Sequence, residues 1–128
     1  MTKPVYITYA KRTACGSFMG SLSTTSAPML AAHLIKDMIQ NSKIDSALVG
    51  EVILGQVITG GSGQNPARQT LMHAGIPKEV PGYTINKVCG SGLKSVALAA
   101  NAIMTGDNEI VIAGIRVKLR DVYKFKRR

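Results

Sequence analysis

Glu51-Val52-Ile53-Leu54-Gly55 decides the fold class. It is a short apolar run without polar alternation, the pattern of a parallel strand covered on both faces rather than of a half-wet antiparallel one. Just downstream, Gly60-Gly61-Ser62-Gly63-Gln64 is a flexible loop. Asn65-Pro66 then sets an N-cap and a first helical residue for a helix that Gly75 and Pro77 stop. Upstream, Val5-Tyr6-Ile7-Thr8-Tyr9-Ala10 is rich in β-branched and aromatic residues and predicts a first strand. Ser26 ahead of Ala27-Pro28 predicts a helix start. On that helix Ala27, Leu30, Ala31, Leu34, Ile35, Met38 and Ile39 share the packed half of the wheel, and His33, Lys36, Asp37 and Gln40 the wet half.

Tyr83-Thr84-Ile85-Asn86 is a third strand candidate, followed by the tight turn Cys89-Gly90-Ser91-Gly92. Leu93 to Met104 predicts a helix ended by Gly106, and Glu109-Ile110-Val111-Ile112-Ala113 a fourth strand. The order β-α-β-α-β-α-β places the chain in the α/β class, with a mainly parallel sheet and right-handed crossovers. The third helix has only Lys94, Ser95, Asn101 and Thr105 as polar relief, so it calls for burial on nearly every side. A four-stranded sheet covers one side of it. A second layer is expected from a partner or from sequence absent here.

At 128 residues the chain holds one domain or part of one, and 45% hydrophobic with 18% charged residues excludes a chain disordered throughout. No apolar run approaches the roughly 18 residues of a membrane span, and Met1-Thr2-Lys3-Pro4 leads into a strand rather than a signal peptide, so a cytoplasmic location and no membrane partner are expected. The two cysteines, Cys15 and Cys89, argue against a disulfide framework and leave thiol chemistry open. The net charge of +9 is uneven: residues 1–114 carry nine Lys/Arg and six Asp/Glu, and residues 115–128 seven Lys/Arg and one Asp. The basic excess thus belongs mostly to the end of the chain, where a solvated segment is the expectation and no specific nucleic-acid partner is predicted.

Cys89 lies where the third strand hands over to a helix, and a thiol there meets partial positive charge and free N–H groups that favour a nucleophilic thiolate. The same N–H groups can stabilise an oxyanion, and Gly90 and Gly92 would let the backbone approach a substrate. On spacing alone Cys89 admits two roles, this one or that of a buried structural cysteine beside a glycine turn. The surrounding sequence is not G-x-S-x-G, so Ser91 is not taken as a nucleophile. The glycine loop at 60–64 fits neither the Walker nor the dinucleotide pattern. His33 and His73 lack cysteine or carboxylate neighbours at metal spacing, so both are expected to be solvated or structural and no metal site is predicted.

Four segments together resemble the N-terminal part of thiolases of the acetyl-CoA acetyltransferase kind. They are Gly55-Gln56-Val57, Gly61-Ser62-Gly63-Gln64-Asn65-Pro66-Ala67-Arg68-Gln69, Thr84-Ile85-Asn86-Lys87-Val88-Cys89-Gly90-Ser91-Gly92-Leu93-Lys94 and Ala99-Ala100-Asn101-Ala102-Ile103-Met104. The resemblance runs from about Pro4 to Gly114, an incomplete thiolase-like half-domain. It implies that Cys89 accepts the acyl group as a thioester and that its backbone N–H contributes to an oxyanion hole. It also implies that the 61–68 segment lies near a subunit interface, and that coenzyme A thioesters such as acetyl-CoA and acetoacetyl-CoA are substrates, with no tightly bound cofactor. A homo-oligomer, or docking on a full-length thiolase, is the implied assembly. The family's histidine, second cysteine and asparagine-histidine pair, and the loop domain that binds most of coenzyme A, belong to later sequence.

After Gly114 the chain departs from the family into the basic segment 115–128. That break is the mark expected of a frameshifted or otherwise truncated gene, and the family's fifth strand would then be lost. Three roles follow: a thiolase by descent without independent turnover, a module that docks on a thiolase subunit, or an anionic-surface binder acting through the basic segment.

Overall fold

The structure, a computed structural model, describes residues 4–17, 19–115 and 122–127. Chain order is β1 (Val5–Lys11), α1 (Ala27–Ser42), a 3-10 turn at Ser46–Leu48, β2 (Glu51–Gly55), α2 (Pro66–Ala74), β3 (Gly82–Ile85), α3 (Ser91–Thr105), β4 (Ile110–Ile115) and β5 (Val122–Arg127). The α/β class and its parallel sheet are as the sequence predicts. β4, β2 and β3 are hydrogen-bonded neighbours in parallel, with Val52 level with both Ile112 and Gly82.

The apolar run of β2 is covered on both faces. Val52 and Leu54 share a core with Ile35 and Met38 of α1, Leu71 of α2 and Ile112 of β4, while Ile53 packs with Val111, Ala113 and the α3 residues Ala99 and Ile103. Helix starts and stops follow local chemistry. Ser26 Oγ accepts the Met29 N–H at 3.4 Å, Asn65 Oδ1 accepts the Arg68 N–H at 3.2 Å, and Gly75 ends α2 at φ 79°.

The chain's end departs from the sequence expectation. Residues 116–121 and 128, like Met1 to Lys3, lie outside the described residues. The backbone of 122–127, expected as part of a solvated segment, is instead β5, antiparallel to β1 on one side and to β4 on the other. β1, β4, β2 and β3 therefore share one direction. The physical reason is edge pairing: without β5, the facing edges of β1 and β4 would each present a row of unpaired N–H and C=O groups, and Val122, Tyr123 and Phe125 are strong strand formers.

α3 corrects two expectations. The 18-residue stretch Val88–Thr105 is long and apolar enough that by length and composition alone it matches a membrane span. Its α-helical part is 15 residues long and lies on the sheet. Its buried stripe is Ser91, Ser95, Ala99 and Ile103, so Ser95, expected as polar relief, is enclosed while Leu93 is 78% exposed.

Candidate active site

The turn from β3 into α3 sits at the carboxyl ends of the parallel strands, the edge where open α/β sheets bind ligands. Cys89 is exposed and free there, which removes the role of a buried structural cysteine. Cys15 is also free and exposed, with Arg12 Nη1 3.5 Å from its Sγ.

α3 starts two residues earlier than the sequence predicts, and this places Ser91 inside the first helical turn. Ser91 is fully buried, and its Oγ accepts the Lys87 N–H at 2.8 Å and donates to the Val88 carbonyl at 2.7 Å. Asn86 Oδ1 accepts the Val88 N–H at 2.9 Å in an Asx turn, and Asn86 Nδ2 donates to the Val57 carbonyl at 3.0 Å. Two helix-start N–H groups that the sequence offered to an oxyanion are already engaged, Gly90 N–H to Lys87 O at 3.0 Å and Ser91 N–H to Val88 O at 3.1 Å. No side-chain cap covers the start of α3.

The glycines divide the work differently from the sequence expectation. A Cβ on Gly92 would stand 3.0 Å from Ile115, so its small size serves contact with β4. Gly55 has the same kind of role. A Cβ there would lie 2.6 Å from the Cβ of Ser91, so only glycine lets β2 end against the turn. Deeper along α3, Ser95 Oγ is 2.7 Å from the Gly92 carbonyl and 2.9 Å from that of Gly114, which satisfies a buried hydroxyl between helix and strand. Neither Gly55, Asn86 nor Ser91 was given a role from sequence. The available signal was an asparagine three residues before the cysteine and a serine two after it, the spacing of side chains that bond nearby backbone.

The glycine loop after β2 is a folding device. Gln56 Nε2 donates to Ile58 O and Ser62 Oγ at 2.7 and 2.8 Å, and Gln69 Nε2 to Ser62 O at 2.7 Å. Asn65 Nδ2 reaches Gly82 O at 2.8 Å, and Arg68 donates to Val80 O and Lys78 O, each at 2.7 Å. His33 and His73 are exposed. Away from the turn, Lys11 Nζ and the Tyr9 hydroxyl both donate to Asp37 Oδ2, at 2.6 and 2.7 Å. The Lys11 bond first, and the Tyr9 bond second, hold the Asp37 carboxyl below its ordinary range, and the same contact raises Lys11. Burial pushes the Glu51 carboxyl and the Tyr83 hydroxyl upward.

Residues 5–119 match the family described as the thiolase N-terminal domain. The chain belongs to the thiolase family. Its similarity to an acetyl-CoA acetyltransferase of Cupriavidus necator is 59% identity over 110 residues, covering 86% of this chain and 28% of that protein. An Escherichia coli acetyl-CoA acetyltransferase is 56% identical over 112 residues, covering 88% and 28%, and a rat cytosolic one is 50% identical over 111 residues, covering 87% and 28%. Among solved structures, a Bacillus anthracis acetyl-CoA acetyltransferase superposes with a TM-score of 0.85 at 35% identity, over 89% of this chain and 29% of that one. The chain thus spans under a third of the length of these thiolases.

Proposed function

We propose that this chain carries the acyl-accepting part of a thiolase, with Cys89 Sγ as the nucleophile toward an acetyl thioester of coenzyme A. The single observation behind it is the exposed thiol of Cys89 in the uncapped turn at the carboxyl edge of the sheet. The thiolate attacks the carbonyl carbon, and the oxygen takes the negative charge, met by the Cys89 backbone N–H. Collapse breaks the bond to coenzyme A, which leaves as a thiol after taking up a proton, and the acetyl group stays on Sγ. Acetyl-CoA and acetoacetyl-CoA are the proposed donors, handled as substrates rather than as a resident cofactor, in the cytoplasm. Passing the acetyl group onward requires the acid/base groups that the family resemblance assigns to later sequence, so residues 1–128 on their own are proposed to acylate without turning over.

A second role is favoured by the outward face of α3, where Leu93 and Met104 are exposed on a helix otherwise packed on the sheet. That face would dock on a thiolase subunit, and co-purification with a thiolase supports it, whereas a monodisperse monomer in the presence of one opposes it. The basic segment gives a third role, anionic-surface binding, which salt-sensitive binding lost on deleting residues 115–128 would support.

The decisive test is peptide mass spectrometry of iodoacetamide and acetyl-CoA labelling at Cys89 and Cys15, in native buffer and in urea. Because both thiols are exposed, access alone does not separate them. The expected result is faster labelling of Cys89 in native buffer only, with acetyl found on Cys89. Equal labelling in both conditions would end the nucleophile assignment.

A further inference from the structure

Val88 is a β-branched residue held at φ 47°, a left-handed conformation that such residues rarely adopt. Strain of this kind persists only where the surroundings over-determine it. Packing of its own side chain does not do so, since Val88 is 62% exposed. Hydrogen bonds do. The Val88 N–H is taken by Asn86 Oδ1 at 2.9 Å, the Val88 carbonyl accepts from both Ser91 Oγ at 2.7 Å and the Ser91 backbone N–H at 3.1 Å, and the preceding Lys87 N–H is taken by the same Ser91 Oγ at 2.8 Å. Ser91 is in turn fixed, fully buried against the end of β2, where a Cβ on Gly55 would intrude to 2.6 Å.

The consequence falls on the next residue. The Val88 carbonyl and the Cys89 N–H belong to one planar trans peptide, in which C=O and N–H point opposite ways. Anchoring the carbonyl inward on Ser91 therefore turns the Cys89 N–H away from the core. We propose that Ser91 is a positioning residue, whose buried hydroxyl fixes the Val88–Cys89 peptide plane and thereby aims the Cys89 N–H at the oxyanion formed during acyl transfer. This rests on the assignment of Cys89 as the acyl acceptor. It adds that the directing group is Ser91, with Asn86 and Gly55 holding the frame.

An oxyanion donor matters for acylation, which passes through a tetrahedral oxyanion, and not for alkylation by iodoacetamide, which forms none. A merely structural serine would move both rates together. The full chain and Ser91→Ala are compared using S-phenyl thioacetate, a small acetyl thioester that needs no coenzyme A site, and iodoacetamide. In the acylation the Cys89 Sγ–carbonyl bond forms, the bond to the phenyl sulfur breaks, and thiophenol is released.

The expected result is a loss of about tenfold in Cys89 acetylation, a fraction of what removing an oxyanion donor outright costs. Alkylation of Cys89 and Cys15 should stay within about twofold, the range expected when access and fold are unchanged. Should Ser91→Ala fail to fold by circular dichroism, the pair Ser91→Ala with Val88→Gly carries the comparison, because glycine adopts the left-handed conformation without strain. Equal losses in both reactions, or no loss in either, overturn the positioning role while leaving the nucleophile in place. Failure of the unaltered chain to take acetyl on Cys89 overturns both.

Discussion

α1 and α3 are packed on opposite faces of one sheet, yet they obey different rules. α1 buries Ala31, Leu34, Ile35 and Met38 and leaves His33, Lys36 and Gln40 wet, as its periodicity predicts. α3 buries Ser91 and Ser95 and leaves Leu93 exposed. The difference lies in distance. Large aliphatic side chains space α1 from the sheet, whereas serine, alanine and glycine draw α3 close enough for Ser95 to bond a strand carbonyl at 2.9 Å and for Gly92 to lie against Ile115. Where a helix approaches that closely, size decides which residues are buried, and a small hydroxyl with partners is enclosed ahead of a leucine.

The largest effect that separates the two helices is expected at Met38, which is fully buried in the α1 core. Met38→Ala should lower unfolding free energy by about 2–5 kcal/mol in urea titration, the usual range for emptying a packed site. A loss no greater than that of an exposed residue would mean that α1 is not the packed helix described.

Gly55→Ala tests the close approach on the α3 side. The added methyl meets Ser91 at 2.6 Å. An overpacking cost of about 1–3 kcal/mol is expected. Slower acetylation of Cys89 should accompany it, because Ser91 is displaced. Stability unchanged in the same titration would show that β2 and the turn are not in contact.

A smaller effect is expected from pH, through the contact that ties β1 to α1. Asp37 is held below its ordinary range, so the Lys11–Asp37 contact contributes stability above the unfolded carboxylate range and loses it as pH falls through the lowered folded value. Lys11, held above its ordinary value, contributes below the ordinary lysine range and loses that contribution as pH rises through the raised folded value. Asp37→Asn should flatten the acid limb of the melting-temperature profile, and an unchanged limb would assign it to other carboxylates.

The smallest effect is expected at Leu93, at 78% exposure. Leu93→Ser should shift stability by under about 0.5 kcal/mol. The same substitution should weaken co-purification with a thiolase if the outward face of α3 is a docking surface. A large stability loss would instead place Leu93 in this chain's own core.

Much of the fold was legible because its signals are local. The unalternating run at β2, the N-caps Ser26 and Asn65, and the stop at Gly75 each depend on residues a few positions apart. The place of Cys89 just ahead of a helix was legible too, from the glycine turn that follows it. Asp37 was less so. It sits on the half of α1 expected to be wet, but it accepts bonds from Tyr9 and Lys11, whose nearness depends on where β1 lies. β5 was not foreseen, because a basic stretch becomes a strand only when two separate edges offer it partners.

The sequence by itself determined the alternation of strands and helices, the two-sided burial of β2, and a cysteine at the head of α3. Periodicity and capping are properties of neighbours in the chain. The tertiary structure alone decided that Ser91 and Ser95 are enclosed while Leu93 is not, that Gly55 forms the floor beneath the turn, and that Val88 is held in a left-handed conformation next to Cys89. Those outcomes depend on how closely α3 settles on the ends of β2 and β4, and close approach between segments distant in sequence leaves no periodic trace along the chain.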